Sequence, residues 1–555
     1  MIKTVLLNSM EKVIADREWT PQSNNYRNGI ALKGETFAFQ VAYSQIDETE
    51  KSFALWRVKF DCDEDIKNYV TLRKVENMPV RFGAWRYDEN VITKHAGLLP
   101  DLLVDCDETS RIIVAPHQWR SFWITVKLPE NIKAGKYTIN VTMYRETYGE
   151  EQNKEEHTET FNLEVIDAVL PKQQIEHTEW FYTDCIAQHY NVEVWSEEHW
   201  ARIEQFFRNQ VAHSCTRVLT PLFTPPLDTA VGYERLTTQL IGVHEIGVDK
   251  YEFDFSKLER WIKLGLECGY QKFEMAHLFS QWGAKFAPKI IVDGEKKFGW
   301  HTESTGEAYR NFLKAFIPEL IKFIEAHNWQ DKVIFHISDE PHLEHLEVYS
   351  KCANLLKELL GDKYISTDAL SNLDFYKQGF CQLPVPVLTE LDEFKEAGVN
   401  PLFAYYCCAP ESKTSNRFVF YPGARTRALG VILYAYNVVG FLHWGYNFWN
   451  SRMSFKPINP YVSIDADGEF PAGDSFLVYP GENGPEDSIR NELINEAFQD
   501  YHACKLLESK TSREYVMQLL EETFGGKINV FDYPISTEGM ATLRNAVNRE
   551  IKSRI

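Results

Sequence analysis

The segment KVIFHISDEP, from Lys332 to Pro341, passes from an apolar run into two acidic residues and a proline. The apolar run is typical of a short buried strand, and Pro341 is expected to end it because proline has no backbone N–H to donate. Amphipathic helical patterns cover residues 305–327 before this strand and 342–360 after it. Helix, strand and helix in succession predict a parallel sheet covered by helices.

The same alternation extends outward from this segment over residues 172–510. About eight predicted strands alternate there with helices, which is typical of a (β/α)8 barrel. One predicted helix, 196–211, has Ser196 at its N-cap, and another, 254–268, is followed by Gly269. An open doubly wound sheet is the alternative, but no G-x-G-x-x-G or Walker loop follows any strand.

Residues 1–171 contain short strand patterns separated by turns, which predict an all-β sandwich. Within them WRSFWITVKL (119–128), the turn PENIKAG and KYTINVTMY (136–144) predict a β-hairpin. The charged stretch 145–160 is interpreted as an exposed hairpin tip. Helical patterns after residue 510 predict a short extension over 511–555. The predicted chain is therefore a sandwich, a barrel and a helical extension.

The composition excludes several classes of protein. An apolar fraction of 44% and a charged fraction of 25% are those of a globular protein, so wholesale disorder is excluded. With 80 acidic and 59 basic side chains the net charge is -21, which argues against a nucleic acid as partner. No apolar run reaches the roughly 18 residues of a transmembrane helix, so we expect no membrane insertion.

The ten cysteines are scattered, and no pair has C-x-x-C spacing. This pattern favours reduced thiols in a reducing compartment. The apolar run near the N-terminus is too short for a signal-peptide core, so we expect a cytoplasmic protein. A leader removed before this chain begins would leave the same sequence.

Acidic and aromatic residues collect at the predicted strand ends, where a barrel places its reactive groups. They include Asp184, His277, Asp339, Glu340, Asp368, Glu390, Tyr405, Tyr406, Trp444, Tyr446 and Trp449, with Asn447 beside them. Carboxylates bind hydroxyl groups and aromatic rings cover the apolar faces of a pyranose, so this set suits a sugar better than a phosphate.

Asp339 and Glu340 are the strongest catalytic candidates. If strand alternation continued, Glu340 would share a face with His336 and Asp339 would point away. Because Pro341 ends the strand, both carboxyl groups are expected to lean over the mouth of the barrel. Two acids this close cannot ionise independently, so the pKa of one should be raised, which suits a general acid near neutral pH.

Several segments together resemble glycoside hydrolase family 123, the exo-β-N-acetylgalactosaminidases, and a wider group of relatives. The resemblance covers about residues 30–505, including a sandwich in front of a barrel. The segments are HISDEP (336–341), AYYCCAP (404–410), GFLHWGYNFW (440–449), GDSFLVYPG (473–481) and SIRNELINEAFQDY (488–501).

The resemblance implies a retaining glycosidase in which the 2-acetamido group of the sugar is the nucleophile. Glu340 then matches the acid/base, and Asp339 matches the residue that orients the acetamido group. The substrate would be an oligosaccharide or glycoconjugate with a terminal β-N-acetylhexosamine, and neither cofactor nor metal is implied. The further candidate substrate contacts are Tyr405 or Tyr406 to the acetamido carbonyl, Trp444 or Trp449 under the ring, Asp474 and Tyr479 at the hydroxyls, and His277.

Two other functions fit the same residues. An ordinary retaining glycosidase would use Glu340 as acid/base and a separate nucleophile such as Glu390, about 5–5.5 Å away. A non-catalytic carbohydrate-binding protein would use the acids only as hydrogen-bond partners. A metal site of His336, Asp339 and His342 is disfavoured because its spacing matches no standard ligand motif. The sequence leaves open the C4 configuration of the sugar, a monomer or a homo-oligomer, and whether the sandwich contacts substrate.

Overall fold

The computed structural model describes residues 2–21, 26–45, 53–146 and 155–555. The described part of the N-terminal region is built from strands. Residues 147–154, the middle of the charged tip predicted over 145–160, lie outside the described residues. The strands are β1 (Ile2–Asn8), β2 (Asn28–Lys33), β3 (Thr36–Gln45), β4 (Ala54–Cys62), β5 (Val70–Val80), β6 (Gly97–Asp105), β7 (Ile112–Val114), β8 (Arg120–Lys127), β9 (Gly135–Arg145) and β10 (Glu156–Val169).

These strands form two sheets, in the orders β1-β3-β8-β5-β6 and β2-β10-β9-β4-β7. The sheets share a buried core in which Phe39 and Phe122 of the first meet Phe161 and Val141 of the second. The predicted hairpin over 119–144 is wrong: β8 pairs with β3 and β5, whereas β9 pairs with β4 and β10. The turn between them carries the chain from one sheet to the other.

The first two sheets are antiparallel except for the β2-β10 pair, and the strands after β10 are short and mostly parallel. They are β11 (Glu176–Glu179), β12 (Arg217–Thr220), β13 (Gly242–Gly247), β14 (Lys250–Asp254), β15 (Lys272–Met275), β16 (Ile290–Val292), β17 (Glu295–Phe298), β18 (Val333–His336), β19 (Ser366–Ala369), β20 (Leu383–Val385), β21 (Phe403–Tyr405), β22 (Gly440–His443), β23 (Val478–Gly481) and β24 (Gly484–Asp487). The pairs β13-β14, β16-β17 and β23-β24 are antiparallel additions.

The remaining strands make two parallel sheets, β12-β15-β18-β19-β20 and β11-β22-β21. Backbone hydrogen bonds join the two sheets at both edges. Thr216 N–H donates to His177 O at 2.9 Å, beside β12 and β11. Tyr405 N–H donates to Pro386 O at 2.9 Å, beside β21 and β20. The isolated bridge between Val387 and Tyr405 is parallel, so the carboxyl ends of all eight strands lie on one side of this part of the chain.

Helices connect the parallel strands and form the C-terminal extension. They are α1 (Thr183–Tyr190), α2 (Glu197–Ala212), α3 (Ser256–Cys268), α4 (Glu307–Ala326), α5 (Leu346–Leu360), α6 (Leu373–Lys377), α7 (Leu391–Glu396), α8 (Gly423–Arg427), α9 (Leu429–Tyr436), α10 (Ile489–Lys510), α11 (Arg513–Phe524) and α12 (Thr537–Lys552). Ser196 accepts a hydrogen bond from His199 N–H at the start of α2, and Gly269 ends α3 in the left-handed region, as their residue types predict.

Buried charge joins the two-sheet region to the rest of the molecule. Arg490 of α10 pairs with Asp101 of β6 at 2.9 Å, and neither side chain is exposed. Arg73 of β5 pairs with Asp487 and Glu492. Because such charges are costly to bury unpaired, these contacts fix how the two regions pack. Among the described helices, none combines the length and apolar character needed to cross a bilayer.

Candidate active site

A cavity of about 290 Å³ lies at the side of the molecule where the parallel strands end. Loops or last residues after β11, β12, β15, β18, β19, β21 and β22 contribute to it. The residues that line it are Trp180, Tyr182, Leu227, Asp228, Gln281, Trp282, Asp339, Glu340, Ala369, Tyr405, Cys407, Cys408, Leu442, Trp444, Arg452 and Phe470. Its wall therefore combines carboxyl groups with aromatic rings.

Asp339 and Glu340 both face this cavity and are half-buried. Strand β18 ends at His336, before the two acids. Their side chains therefore need not point to opposite faces of a strand, as expected from Pro341. Glu340 has φ of +44°, a left-handed conformation that is strained for this residue type. Its N–H donates to Ala369 O at 3.0 Å, which holds the strained backbone against β19.

Glu340 also has a fixed side-chain partner. The hydroxyl of Tyr405, the last residue of β21, donates to Glu340 Oε1 at 2.6 Å. Asp339, in contrast, makes no side-chain hydrogen bond with the described residues, although Trp282 N–H donates to its backbone carbonyl at 2.8 Å. The carboxyl group of Glu340 is thus held in one orientation, and that of Asp339 is available to a ligand.

Electrostatics separates Asp339 from an ordinary surface acid. Burial, and then the nearby carboxyl groups of Glu340, Asp368 and Asp228, raise the pKa of Asp339 well above its usual 3.8. Burial also raises the pKa of Asp368 to about 8 and that of Asp228 to about 6. Because these carboxyl groups are close together and poorly exposed to water, some of them stay protonated. Such a group is expected at a site where protons are exchanged.

Trp444 supplies a large aromatic face beside the acids. Its indole N–H donates to Asp474 Oδ2 at 3.0 Å, and its ring packs against Phe470 with centroids 5.1 Å apart. Asp474 is fully buried behind it, and burial raises the pKa of this carboxyl to about 7. The ring is therefore fixed in place by a hydrogen bond on one side and a second ring on the other.

Five of the predicted substrate contacts are not among the cavity-lining residues. Tyr406 is fully buried and packs on Phe441, because the neighbouring Tyr405 takes the cavity-facing position. Trp449 donates its indole N–H to Val478 O at 3.2 Å, and Tyr479 donates to Asp101 at 2.6 Å, deep between the two regions. Asp474, as described, lies behind Trp444.

His277 is the fifth of these residues, and it too lies behind the wall. Its ring stacks on His336 with centroids 4.4 Å apart and meets the edge of Trp180, which does line the cavity, at 4.9 Å. Burial lowers the pKa of His277 well below 6.5, so the ring is neutral at physiological pH. It supports the wall from behind.

Glu390, the alternative nucleophile, is a described residue that does not line the cavity. It ends a short 3-10 turn, Leu388–Glu390, before α7, and it accepts a hydrogen bond from Thr389 Oγ1 at 3.3 Å. The site therefore gives an ordinary two-carboxylate mechanism through Glu390 no geometric support.

Residues of the long connecting loops were missed by sequence reasoning. Asp228, Gln281, Trp282, Arg452 and Phe470 all line the cavity, yet none lies at a predicted strand end. Their only sequence signal is that they follow strands, at distances too variable to place them.

One further group of ligand-type side chains lies at the contact between the two regions. Single ligand atoms of His213, Asp487 and Glu492 are within 4.8 Å of one another. Both carboxylates are already paired with Arg73, whose positive charge opposes a second cation. The group is best explained as part of the interface.

Comparison with known proteins agrees with this architecture. A family model described as Glycoside hydrolase 123, catalytic domain, matches residues 180–507. A solved family 123 glycoside hydrolase from Clostridium perfringens, studied for glycolipid glycan hydrolysis, is similar with a TM-score of 0.75 and 15% identity, covering 100% of this chain and 98% of that chain.

Weaker likenesses are confined to part of the chain. The PapD-like domain 7 of human CEP192 covers 28% of this chain and 96% of its own, at 11% identity and a TM-score of 0.14. Spo0M of Bacillus subtilis covers 29% of this chain and 48% of its own, at 13% identity and a TM-score of 0.13. Both TM-scores are too low to indicate a shared fold. No curated protein sequence matches this chain.

Proposed function

The chain belongs to glycoside hydrolase family 123, and from this premise we propose that it is an exo-acting β-N-acetylgalactosaminidase using substrate-assisted, retaining catalysis. The observation that supports this most is the presence of Asp339 and Glu340, adjacent in sequence, in the wall of one cavity. A cavity of about 290 Å³ is at the small end of ligand sites, which favours a single terminal sugar over a long chain.

In the first step Glu340 donates a proton to the glycosidic oxygen, and the C1–O bond breaks. The carbonyl oxygen of the 2-acetamido group bonds to C1 from the opposite face and gives an oxazolinium intermediate. Because the Tyr405 hydroxyl is bound to Oε1 of Glu340, the transferable proton is assigned to Oε2. Proton transfer of this kind contributes roughly 10²–10⁴-fold to rate.

Asp339 accepts a hydrogen bond from the acetamido N–H. This bond turns the carbonyl oxygen towards C1, and it strengthens as positive charge develops on the acetamido group. The absence of side-chain hydrogen bonds from Asp339 to the described residues leaves its carboxyl group available for this contact. An internal nucleophile needs no second, distant carboxylate, which is consistent with Glu390 lying outside the cavity wall.

In the second step water attacks C1 from the side that the leaving group vacated. Glu340, now ionised, takes the proton of that water, and the acetamido group is restored. Two displacements at C1 give a product with the β-configuration of the substrate. Trp444 is assigned to the apolar face of the sugar ring, because its ring lines the cavity and is fixed by Asp474.

The proposal includes the fold that positions these groups. We assign residues 172–510 to a closed (β/α)8 barrel, 1–171 to a β-sandwich and 511–555 to a helical extension. The hydrogen bonds that join the two parallel sheets at both edges support closure, and a cavity at the carboxyl ends of the strands is where barrel enzymes place their sites.

A cytoplasmic location is also part of the proposal. All ten cysteines lie in the described part of the chain, and each is a free thiol. Free, mostly buried thiols are typical of a reducing compartment. Fractionation of cells that make the protein, with detection of the intact chain in the cytoplasmic fraction, tests this assignment, and recovery from the medium would contradict it.

The activity is tested with aryl glycosides. The aryl β-N-acetylgalactosaminide should be hydrolysed and give the β-anomer first by NMR, whereas the matching β-galactoside, which lacks the acetamido group, should not react. The aryl β-N-acetylglucosaminide tests the preference at C4. Equal turnover of the galactosaminide and the galactoside would eliminate the proposal, and binding without turnover would favour a carbohydrate-binding protein.

Variants assign the activity to the proposed acid. Glu340→Gln should lower kcat/KM for a substrate with a poor leaving group by about 10²–10⁴-fold. Glu344→Gln is the matched control, because Glu344 is four residues further on and its side chain is 78% exposed. A Glu340→Gln protein as active as the wild type would remove Glu340 from the mechanism.

A further inference from the structure

Arg452 is a basic residue in a cavity wall whose other charged residues are Asp228, Asp339 and Glu340. Within the described part of the chain its guanidinium forms neither a hydrogen bond nor an ion pair. The fully buried arginines behave differently: Arg417 pairs with Glu179 and Arg490 with Asp101. The five N–H donors of Arg452 are thus available on the surface that a substrate would meet.

The side chain of Arg452 is held close to the proposed sugar platform. Its guanidinium carbon lies 5.7 Å from the centroid of the Phe470 ring, a cation–π contact. The same ring packs against Trp444 with centroids 5.1 Å apart. The Phe470 ring therefore lies between Arg452 and the indole of Trp444. A sugar bound on that indole would have the guanidinium near its edge or near the next sugar residue of the glycan.

Several hydrogen bonds hold the backbone next to Arg452 against the loop that contains Asp228. Met453 N–H donates to Asp228 Oδ2 at 2.9 Å, and the Ser454 hydroxyl donates to Asp228 O at 2.7 Å. Ala230 N–H donates to Met453 O at 3.0 Å. Met453 and Ser454 both adopt left-handed conformations, with φ of +59° and +55°. Strain maintained by several hydrogen bonds is typical of segments that present a functional side chain.

We propose that Arg452 binds an oxyanion carried by the substrate, either a sulfate ester on the hexosamine or the carboxylate of an adjoining acidic sugar. Guanidinium binds both groups through paired N–H donors and keeps its charge at any physiological pH. The inference rests on the proposed function and narrows its substrate class to acidic glycans. Asp228 is the carboxylate that faces this segment, and its Oδ2 is engaged by Met453 N–H.

The test measures kcat/KM for two matched pairs of substrates. The first pair is an aryl β-N-acetylgalactosaminide and its 6-O-sulfate. The second pair is N-acetylgalactosamine β-linked to glucuronic acid and the same sugar linked to glucose. We expect the anionic member of at least one pair to exceed its neutral partner by about 10-fold to 100-fold, the range of one charge-assisted interaction. The pair that shows the gain identifies the source of the oxyanion.

Two variants connect the preference to Arg452. Arg452→Gln should abolish the gain, so that the two members of each pair are hydrolysed with the same kcat/KM. Lys456→Gln removes a charge from the same loop, but Lys456 pairs with Asp467 at 2.6 Å and does not line the cavity, so the gain should persist. Added salt should reduce the gain in the wild type.

Two results would overturn the inference while leaving the proposed function intact. One is equal kcat/KM for both members of each pair in an enzyme that hydrolyses the neutral galactosaminide. The other is an Arg452→Gln protein that loses neutral and anionic substrates to the same extent, because that result describes a general packing role. If the neutral aryl galactosaminide is not hydrolysed at all, the proposed function fails and this inference fails with it.

Discussion

At the scale of single residues, the raised pKa of Asp339 gives a pH dependence with a definite sign. Asp339 must be ionised to hold the acetamido N–H, and a carboxyl group with a raised pKa loses its charge as the pH falls through that raised value. Activity is therefore present above the pKa of Asp339 and lost below it. We expect the acidic limb of kcat/KM to lie well above pH 3.8, the ordinary value for aspartate.

A pH series with the aryl galactosaminide measures this limb directly, since kcat/KM reports the free enzyme. Full activity maintained down to about pH 4 would contradict the account of Asp339. A limb that stays in place in Asp228→Asn and Asp368→Asn proteins would show that burial and the Glu340 carboxyl group raise this pKa without them.

Single residues also show what could be predicted from the sequence. Asp339 and Glu340 could be placed at a strand end because an apolar run and Pro341 mark that end locally. The choice between Tyr405 and Tyr406 could not be made, since it depends on which alternate side chains of β21 point towards the cavity. Arg452 could not be found, because hydrogen bonds to Asp228, distant in sequence, place its loop.

At the scale of elements, the predicted N-cap of α2 provides a stability test. Ser196 accepts the hydrogen bond of His199 N–H, which would lack an intrahelical partner in the first turn. Ser196→Ala should lower the free energy of unfolding by about 1 kcal/mol, and Ser196→Asp should not, because aspartate caps as well as serine does. Chemical denaturation measures both. Equal midpoints for the alanine variant and the wild type would contradict the capping role.

Elements were predicted well where the signal is local and poorly where it is not. The helix expected over 254–268 is Ser256–Cys268, and its end at Gly269 follows from the conformational freedom of glycine. The strand expected over 177–184 is only Glu176–Glu179, and α1 begins at Thr183. The hairpin over 119–144 failed because a tight turn between two strands does not determine whether they share a sheet.

At the scale of the whole molecule, the contact between the two regions depends on charges that sequence patterns do not reveal. Asp101 accepts from Arg490 and from the Tyr479 hydroxyl, and all three groups are buried. Asp101→Ala would leave Arg490 charged and unpaired in the interior, so we expect the free energy of unfolding to fall by about 3–5 kcal/mol.

Denaturation compared with a surface control checks this prediction. Glu204 pairs with Arg208 at 2.6 Å on the exposed face of α2, so Glu204→Ala should change the stability little. An Asp101→Ala protein as stable as Glu204→Ala would show that the buried pair does not hold the two regions together.

The central claim is that the acetamido group of the substrate is the nucleophile. Its most direct test compares kcat for aryl galactosaminides whose acetamido methyl group carries zero, one, two or three fluorine atoms, because fluorine withdraws electrons from the carbonyl oxygen. The account predicts a steep fall in kcat with each fluorine. A kcat that does not depend on fluorine would exclude the acetamido group as the nucleophile and contradict the role assigned to Asp339.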